Sequence, residues 1–294
     1  MDSSKDIKRC VLSQLPGKWQ KNLENVDFSY LEEIRFRAQR NVMLYYNGKK
    51  AVLLEKTCDF ADLEEILAVI CKNSVYAYRE NIAQGFVTLS GGHRAGICGK
   101  CAVNDGAVRG ISLVSGINIR IARHIKDAAN SVMQHILKDG KVLNTIIISP
   151  PSAGKTTMLR SIALKLSENF KVSVIDERSE IGAMSVEGVG FDLGKQTDIL
   201  DSVPKNAGIL MALRALSPEV IITDEIDTEK DIDAVKSIIG AGAKIITSAH
   251  SESFLEFKNK NADIFKYFDV VLVLSRKNGV GNLEGVYVKD DFCD

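Results

Sequence analysis

No charge of one sign predominates in this chain: 38 lysines and arginines stand against 38 aspartates and glutamates. A strongly basic nucleic-acid-binding surface is therefore excluded as an overall property, although a local patch is not. No uncharged apolar run approaches the ~18 residues that cross a bilayer. The first ten residues (MDSSKDIKRC) carry charges where a secretory signal needs an apolar stretch. A cytoplasmic location is expected on these grounds. Six cysteines, at 10, 58, 71, 98, 101 and 293, are too scattered for a disulfide framework in 294 residues. Cys98 and Cys101 have C-x-x-C spacing, and His93 lies nearby, but no second pair follows at the interval a zinc site uses. The two cysteines read as small half-buried residues on strands flanking a tight glycine turn.

What is present is an ordinary globular composition, 45% hydrophobic and 26% charged. At about 150 residues per domain the length suggests two domains. Ile7, Val11, Leu12 and Leu15 form a helical stripe that Pro16-Gly17 interrupts. Residues 30–38 read as a strand. The runs Asn41–Tyr46 and Ala51–Leu54 around Asn47-Gly48 signal a hairpin. Asp62–Val75 reads as a helix capped by Asp59 or Asp62. From Tyr76 to Arg123 short strands separated by glycine turns suggest a small sheet. Within it Gly91-Gly92-His93-Arg94 permits close backbone approach and sets a guanidinium on a defined turn. Residues 124–141 read as one helix stopped by Gly140. The expected division is an α+β domain over 1–125 and an α/β domain over 126–294.

The second half alternates strand and helix, the signature of a parallel sheet. Strands are expected at 143–148, 171–176, 219–224, 244–248 and 269–274. Helices are expected at about 155–167, 207–217, 229–241 and 251–261, and a hairpin at Ser275–Val288 around Lys277-Asn278-Gly279. Residues 182–206 read as a long polar loop. The first of these strands runs into Ser149-Pro150-Pro151-Ser152-Ala153-Gly154-Lys155-Thr156-Thr157. This is the P-loop pattern with Ser149 in place of its first glycine. Backbone N–H groups and a helix N-terminus would cradle phosphates there, Lys155 would reach the β- and γ-phosphates, and Thr156 would ligate Mg²⁺. A serine at a turn needing positive φ would cost about 1 kcal/mol, which predicts weaker ATP binding or slower hydrolysis.

Three further strand ends carry polar chemistry, where ligands bind in such sheets. Val220-Ile221-Ile222-Thr223 runs into Asp224 and Glu225, a Walker B pattern. Asp224 would hold Mg²⁺ through its water shell, and Glu225 would orient and deprotonate the attacking water. Val174-Ile175 runs into Asp176 and Glu177, with Glu177 a second candidate for water or metal. Thr247-Ser248-Ala249 runs into His250, placed to report the γ-phosphate.

Together these segments resemble the stage III sporulation protein AA ATPases of endospore-forming bacteria, which are similar to the secretion ATPases of type II and type IV pilus systems. The resemblance runs over residues 85–255, through Gly91–Gly96, Asn118–Ala122, the P-loop, Asp176–Ile181, Thr197–Asp201, Arg214–Val220 with Asp224–Ile226, and Thr247–His250. It implies a RecA-like P-loop ATPase domain behind a smaller N-terminal domain, and a homo-hexamer with nucleotide at subunit interfaces. It implies a place at the mother-cell face of the membrane, energising membrane-embedded channel proteins that lead to the forespore. By the same resemblance Asp176-Glu177 matches an Asp box and His250 a His box. Arg94, Arg120 and Arg123 become candidates to reach nucleotide from the N-terminal domain. Ser149, and Asp227 where the family has glycine, depart from its pattern. Two other readings stay open: a nucleic-acid-dependent RecA-like ATPase, and a nucleotide-binding scaffold without turnover.

Overall fold

The computed structural model describes residues 4–46, 50–185, 188, 190–226, 229–277 and 279–289. The expected turns at Asn47-Gly48 and Asn278, and the Asp227 departure, lie outside the described residues. Two units emerge: Met1–His124 with Ala183–Phe191, and Ile125–Gly182 with Asp192–Asp294.

The first unit opens with helices α1 (Ser4–Leu12) and α2 (Gly17–Leu23). Strands β1 (Leu31–Arg37), β2 (Arg40–Tyr46) and β3 (Lys50–Cys58) follow, then helices α3 (Phe60–Ile70) and α4 (Arg79–Ala83), and strands β4 (Phe86–Thr88), β5 (Arg94–Asn104) and β6 (Ala107–Arg120). The strands form one sheet in the order β3-β2-β1-β6-β5-β4, antiparallel throughout. Helix α3 begins at a capping box. The Asp59 carboxylate accepts from Asp62 N at 2.7 Å, and the Asp62 carboxylate accepts from Asp59 N at 3.0 Å. Its Leu63, Ile66 and Ile70 join Trp19, Leu31, Ile34 and Phe36 in the core. There the Trp19 and Phe36 rings meet edge to face, centroids 5.0 Å apart.

The glycines of this unit work differently from the expectation of short strands between glycine turns. Gly99 and Gly116 lie inside the long strands β5 and β6. A Cβ on Gly99 would lie 1.8 Å from the Leu113 carbonyl oxygen, so glycine is required where the ladder shifts register. The turn is Asp105-Gly106, both residues at positive φ, a two-residue hairpin loop. Cys98 and Cys101 accordingly sit on one strand, and both are exposed.

The second unit comprises α5 (Met133–Ile136), β7 (Leu137–Lys138), β8 (Lys141–Val142), β9 (Thr145–Ser149), α6 (Lys155–Leu166), β10 (Val172–Asp176), β11 (Thr197–Asp201) and α7 (Lys205–Ala215). It continues with β12 (Val220–Glu225), α8 (Glu229–Gly240), β13 (Lys244–His250), α9 (Phe254–Lys260), α10 (Ala262–Phe265), β14 (Val270–Ser275) and β15 (Asn282–Val288). Seven strands form the order β11-β10-β12-β13-β9-β14-β15, parallel except for the last. Strands β9, β10 and β14 are buried along their whole length, as a sheet covered on both faces requires. This is the expected RecA-like α/β fold.

Two expectations are corrected. Residues 124–141 are not one helix. A short 3₁₀ turn (Ala128–Ser131) and α5 give way to a hairpin whose loop is Asp139-Gly140, both at positive φ. Residues 182–206 are not all loop, because Thr197–Asp201 is β11, the edge strand paired with β10.

Candidate active site

Strand β13 lies between β9 and β12, so its last residue, His250, has the P-loop on one side and the acidic strand end on the other. The P-loop leaves β9 at Ser149 and enters α6 at Lys155. Its left-handed residues are Ser152 (φ 57°) and Gly154 (φ 94°). Ser149 is not among them. It ends β9 fully buried, and its hydroxyl donates to the Pro150 carbonyl at 2.8 Å. The strain expected at the missing glycine is therefore absent, and the reason for expecting slow turnover goes with it. The turn after β14 closes on the loop from outside. Gly281 N donates to the Ala153 carbonyl at 3.0 Å, and the Arg276 guanidinium donates to the Pro151 carbonyl at 2.5 Å. Gly154 has φ 94°, a conformation that favours glycine, and a Cβ there would sit a tight 3.2 Å from Gly281 Cα.

Lys155 is buried, and desolvation pulls its pKa below the ordinary lysine range while Glu225 and Asp224 oppose the shift. Its Nζ donates to the Ser149 carbonyl at 3.3 Å and to His250 Nδ1 at 2.8 Å. An ammonium only donates, so Nδ1 is the acceptor and the ring proton sits on Nε2. His250 Nε2 then faces Glu225 Oε1 at 3.2 Å. One tautomer thus completes a chain from the P-loop lysine through histidine to the carboxylate. On the far side the Arg178 guanidinium lies 3.9 Å from Glu225 Oε2.

The end of β12 is bulged. Ile222 pairs with Ile246 but Glu225 pairs with Ser248, so one extra residue is inserted in β12. Bulges re-aim side chains beside active sites. Here the re-aimed backbone is held by side chains: the Thr247 hydroxyl donates to the Asp224 carbonyl at 2.5 Å, and Lys205 Nζ donates to the Glu225 carbonyl. Asp224 is buried, and its Oδ2 has no hydrogen-bond partner among the described residues. Burial first, and then the nearby Asp176 and Glu180, push its pKa up to about 6. An orphaned buried carboxylate oxygen next to a P-loop suits a hard cation. Mg²⁺ takes one or two carboxylates and keeps its waters.

The end of β10 is built otherwise. Asp176 is fully buried, and its two oxygens accept from Glu180 N at 2.8 Å and Gly182 N at 2.7 Å. The buried Arg160 donates to the Ile181 and Glu180 carbonyls, both at 2.9 Å. These bonds shape the 176–182 turn. Glu177 is exposed and joins none of the contacts described here.

The structure thus brings together Ser149, Lys155, Asp224, Glu225 and His250, with Thr156 and Thr157 in the first turn of α6. Glu177 makes no hydrogen bond or ion pair with them. Arg94 belongs to the first unit, where its guanidinium lies 4.2 Å over the Phe86 ring. Arg120 lies 3.9 Å from Glu33, and Arg123 is spent on the Phe28 and Leu31 carbonyls at 2.7 and 2.9 Å. Lys205 and Arg178 were given no role by the sequence. For Lys205 a signal existed: a lysine directly after Pro204 at a helix start opposes the helix dipole, so it needs a partner elsewhere.

The family described as sporulation stage III, protein AA matches residues 2–292. Stage III sporulation protein AA of Bacillus subtilis (strain 168) is 36% identical over 271 residues, covering 88% of this chain and 87% of that protein. Among solved structures, the Legionella pneumophila ATPase DotB superposes with a TM-score of 0.57 at 15% identity, over 88% of this chain and 76% of that one. The pilus retraction motor PilT with bound ADP gives 0.57 at 13% identity, over 87% and 76%. These two likenesses concern the fold. The sequence match extends through the P-loop, both acidic strand ends and His250, and the chain belongs to the stage III sporulation protein AA family.

Proposed function

We propose that the protein is a Mg²⁺-dependent ATPase, the motor of a sporulation-associated transport complex between mother cell and forespore. The observation that carries this reading is the Lys155–His250–Glu225 chain beside the orphaned Asp224 oxygen, at one end of a parallel sheet. Residues 149–157 wrap the phosphates. Lys155 exchanges His250 for phosphate oxygens, which releases His250 to report the γ-phosphate. Glu225 orients the attacking water and takes its proton. Thr156 and Asp224 would hold Mg²⁺, which when bound neutralises phosphate charge. Arg94, brought from the first domain of the same or a neighbouring chain, stabilises the developing negative charge. Residues 1–125 and 126–294 act as the two moving halves, in a homo-hexamer. DotB is an ATPase and PilT a retraction motor with bound ADP, which supports the motor reading. No helix of the described residues is long and apolar enough to cross a membrane. Attachment to the mother-cell membrane runs, in this reading, through the channel proteins.

Size-exclusion chromatography with light scattering, with and without Mg-ATP, on fractions assayed for phosphate release, tests ring and turnover together. Wild-type protein is expected to form a ring that releases phosphate. Lys155→Ala and Glu225→Gln are expected to keep the fold and lose release; wild-type rates in both would overturn the mechanism.

A further inference from the structure

Lys205 opens α7 immediately after Pro204 and is almost wholly buried. Its position is unfavourable twice over. A cation at a helix N-terminus opposes the dipole, and a buried ammonium is costly unless it is paired. The partners are specific. Nζ donates to the main-chain carbonyl of Glu225 and lies 3.3 Å from Oδ1 of Asp231, which is itself buried on α8. One ammonium therefore ties α7 and α8 to the last residue of β12.

That residue follows the bulge. The regular pairing of β12 with β13 is interrupted between Ile222 and Glu225. Beyond it, Asp224 is held by the Thr247 hydroxyl, Glu225 by Lys205, and Ile226 by its own N–H to the Ser248 carbonyl at 2.9 Å. The Glu225 side chain reaches His250 from a backbone whose carbonyl is fixed by Lys205.

We propose that Lys205 is a positioning residue for Glu225, setting the carboxylate's aim through the main chain without touching the nucleotide. The proposal rests on the ATPase reading. Small displacements of a catalytic group cost as much as 10²-fold in rate. Loss of the clamp therefore lowers kcat and leaves KM for ATP nearly unchanged, because the phosphate cradle is built from β9 and α6.

The discriminating variants of the full chain are Lys205→Met, Lys205→Arg and Lys205→Met with Asp231→Asn. Lys205→Met removes the ammonium that faces the buried Asp231 carboxylate, so thermal stability falls together with kcat. The double variant also removes the carboxylate charge that faced the ammonium and recovers stability. Its kcat is expected to stay down by about 30- to 100-fold, with KM and the affinity for a fluorescent ATP analogue within about threefold of wild type. Lys205→Arg keeps a cationic donor and is expected to recover most of the lost turnover. Recovery of kcat along with melting temperature in the double variant, or an Lys205→Arg variant as slow as Lys205→Met, would show a merely structural residue and overturn the proposal. Absence of turnover in wild type overturns the ATPase reading and takes the Lys205 role with it. Wild-type turnover matched by the double variant removes the Lys205 role alone.

Discussion

Two strands of this sheet end in the same dipeptide. Strand β10 runs Val174-Ile175 into Asp176-Glu177, and β12 runs Ile222-Thr223 into Asp224-Glu225. In both the aspartate is buried. At β10 the carboxylate is used up by the N–H groups of its own turn, and the glutamate points to solvent. At β12 one aspartate oxygen has no partner, and the glutamate is turned inward onto His250. The difference is one inserted residue and what lies beside it. The bulge in β12 re-aims both acids, and the neighbouring strand β13 brings His250, whereas β10 is flanked on its outer side by edge strand β11. A satisfied carboxylate holds a fold together, and an unsatisfied one is available for chemistry.

The largest expected contrast lies between the acids of β12 and β10 in turnover. Glu225→Gln should lower kcat by about 10²- to 10⁴-fold, the range for losing a general base, measured by phosphate release at saturating Mg-ATP. A loss of that size in Glu177→Gln would erase the functional distinction. The next contrast is one of sign in stability. Without Mg²⁺, Asp224 binds a proton more tightly in the folded than in the unfolded state. Metal-free stability therefore falls as pH rises from about 4 to about 6 and stays lower above that, by on the order of 3 kcal/mol. Asp224→Asn is expected to remove this loss and melt higher than wild type at pH 7 in chelator, while losing activity. Asp176→Asn is expected to do the reverse, costing about 1–3 kcal/mol as an N–H loses its acceptor. Denaturant titrations of both variants against wild type measure the two signs, and the same sign in both would break the comparison. The smallest effect belongs to Glu177→Gln, expected to change stability by no more than about 0.5 kcal/mol and kcat by about twofold or less.

Much of the second unit was legible because its signals are local. A buried parallel strand needs a run of aliphatic residues, and Thr145–Ile148 and Val220–Thr223 supply them. Gly154-Lys155-Thr156 after such a strand announces its turn. The misreadings have a common source. Asp105-Gly106 and Asp139-Gly140 are both hairpin loops with positive φ at each residue, yet in sequence the first stands among neighbouring glycines and the second follows an apolar stripe of helical spacing. An Asp-Gly pair marks a change of direction, and whether strands or a helix surround it depends on distant partners. Strand β11 is not legible in the sequence because an edge strand buries little and carries little apolar pattern.

From sequence alone the inventory of the candidate site was determinable: a P-loop pattern at Ser149–Thr157, acids at Asp224 and Glu225, and His250, all at strand ends. Only the tertiary structure decided how they are placed against one another. Strand order set β13 between β9 and β12, which makes His250 the link from Lys155 to Glu225. The bulge lies at Asp224-Glu225, and the pairing of β10 carries no such shift before Asp176. The backbone left Ser149 unstrained by placing the left-handed turn at Ser152 and Gly154. Lys205 acquired its partners from β12 and α8. Residue type fixes which hydrogen bonds and charges are possible. Register, strand order and burial, which arise between segments far apart in the chain, determine which of them are made.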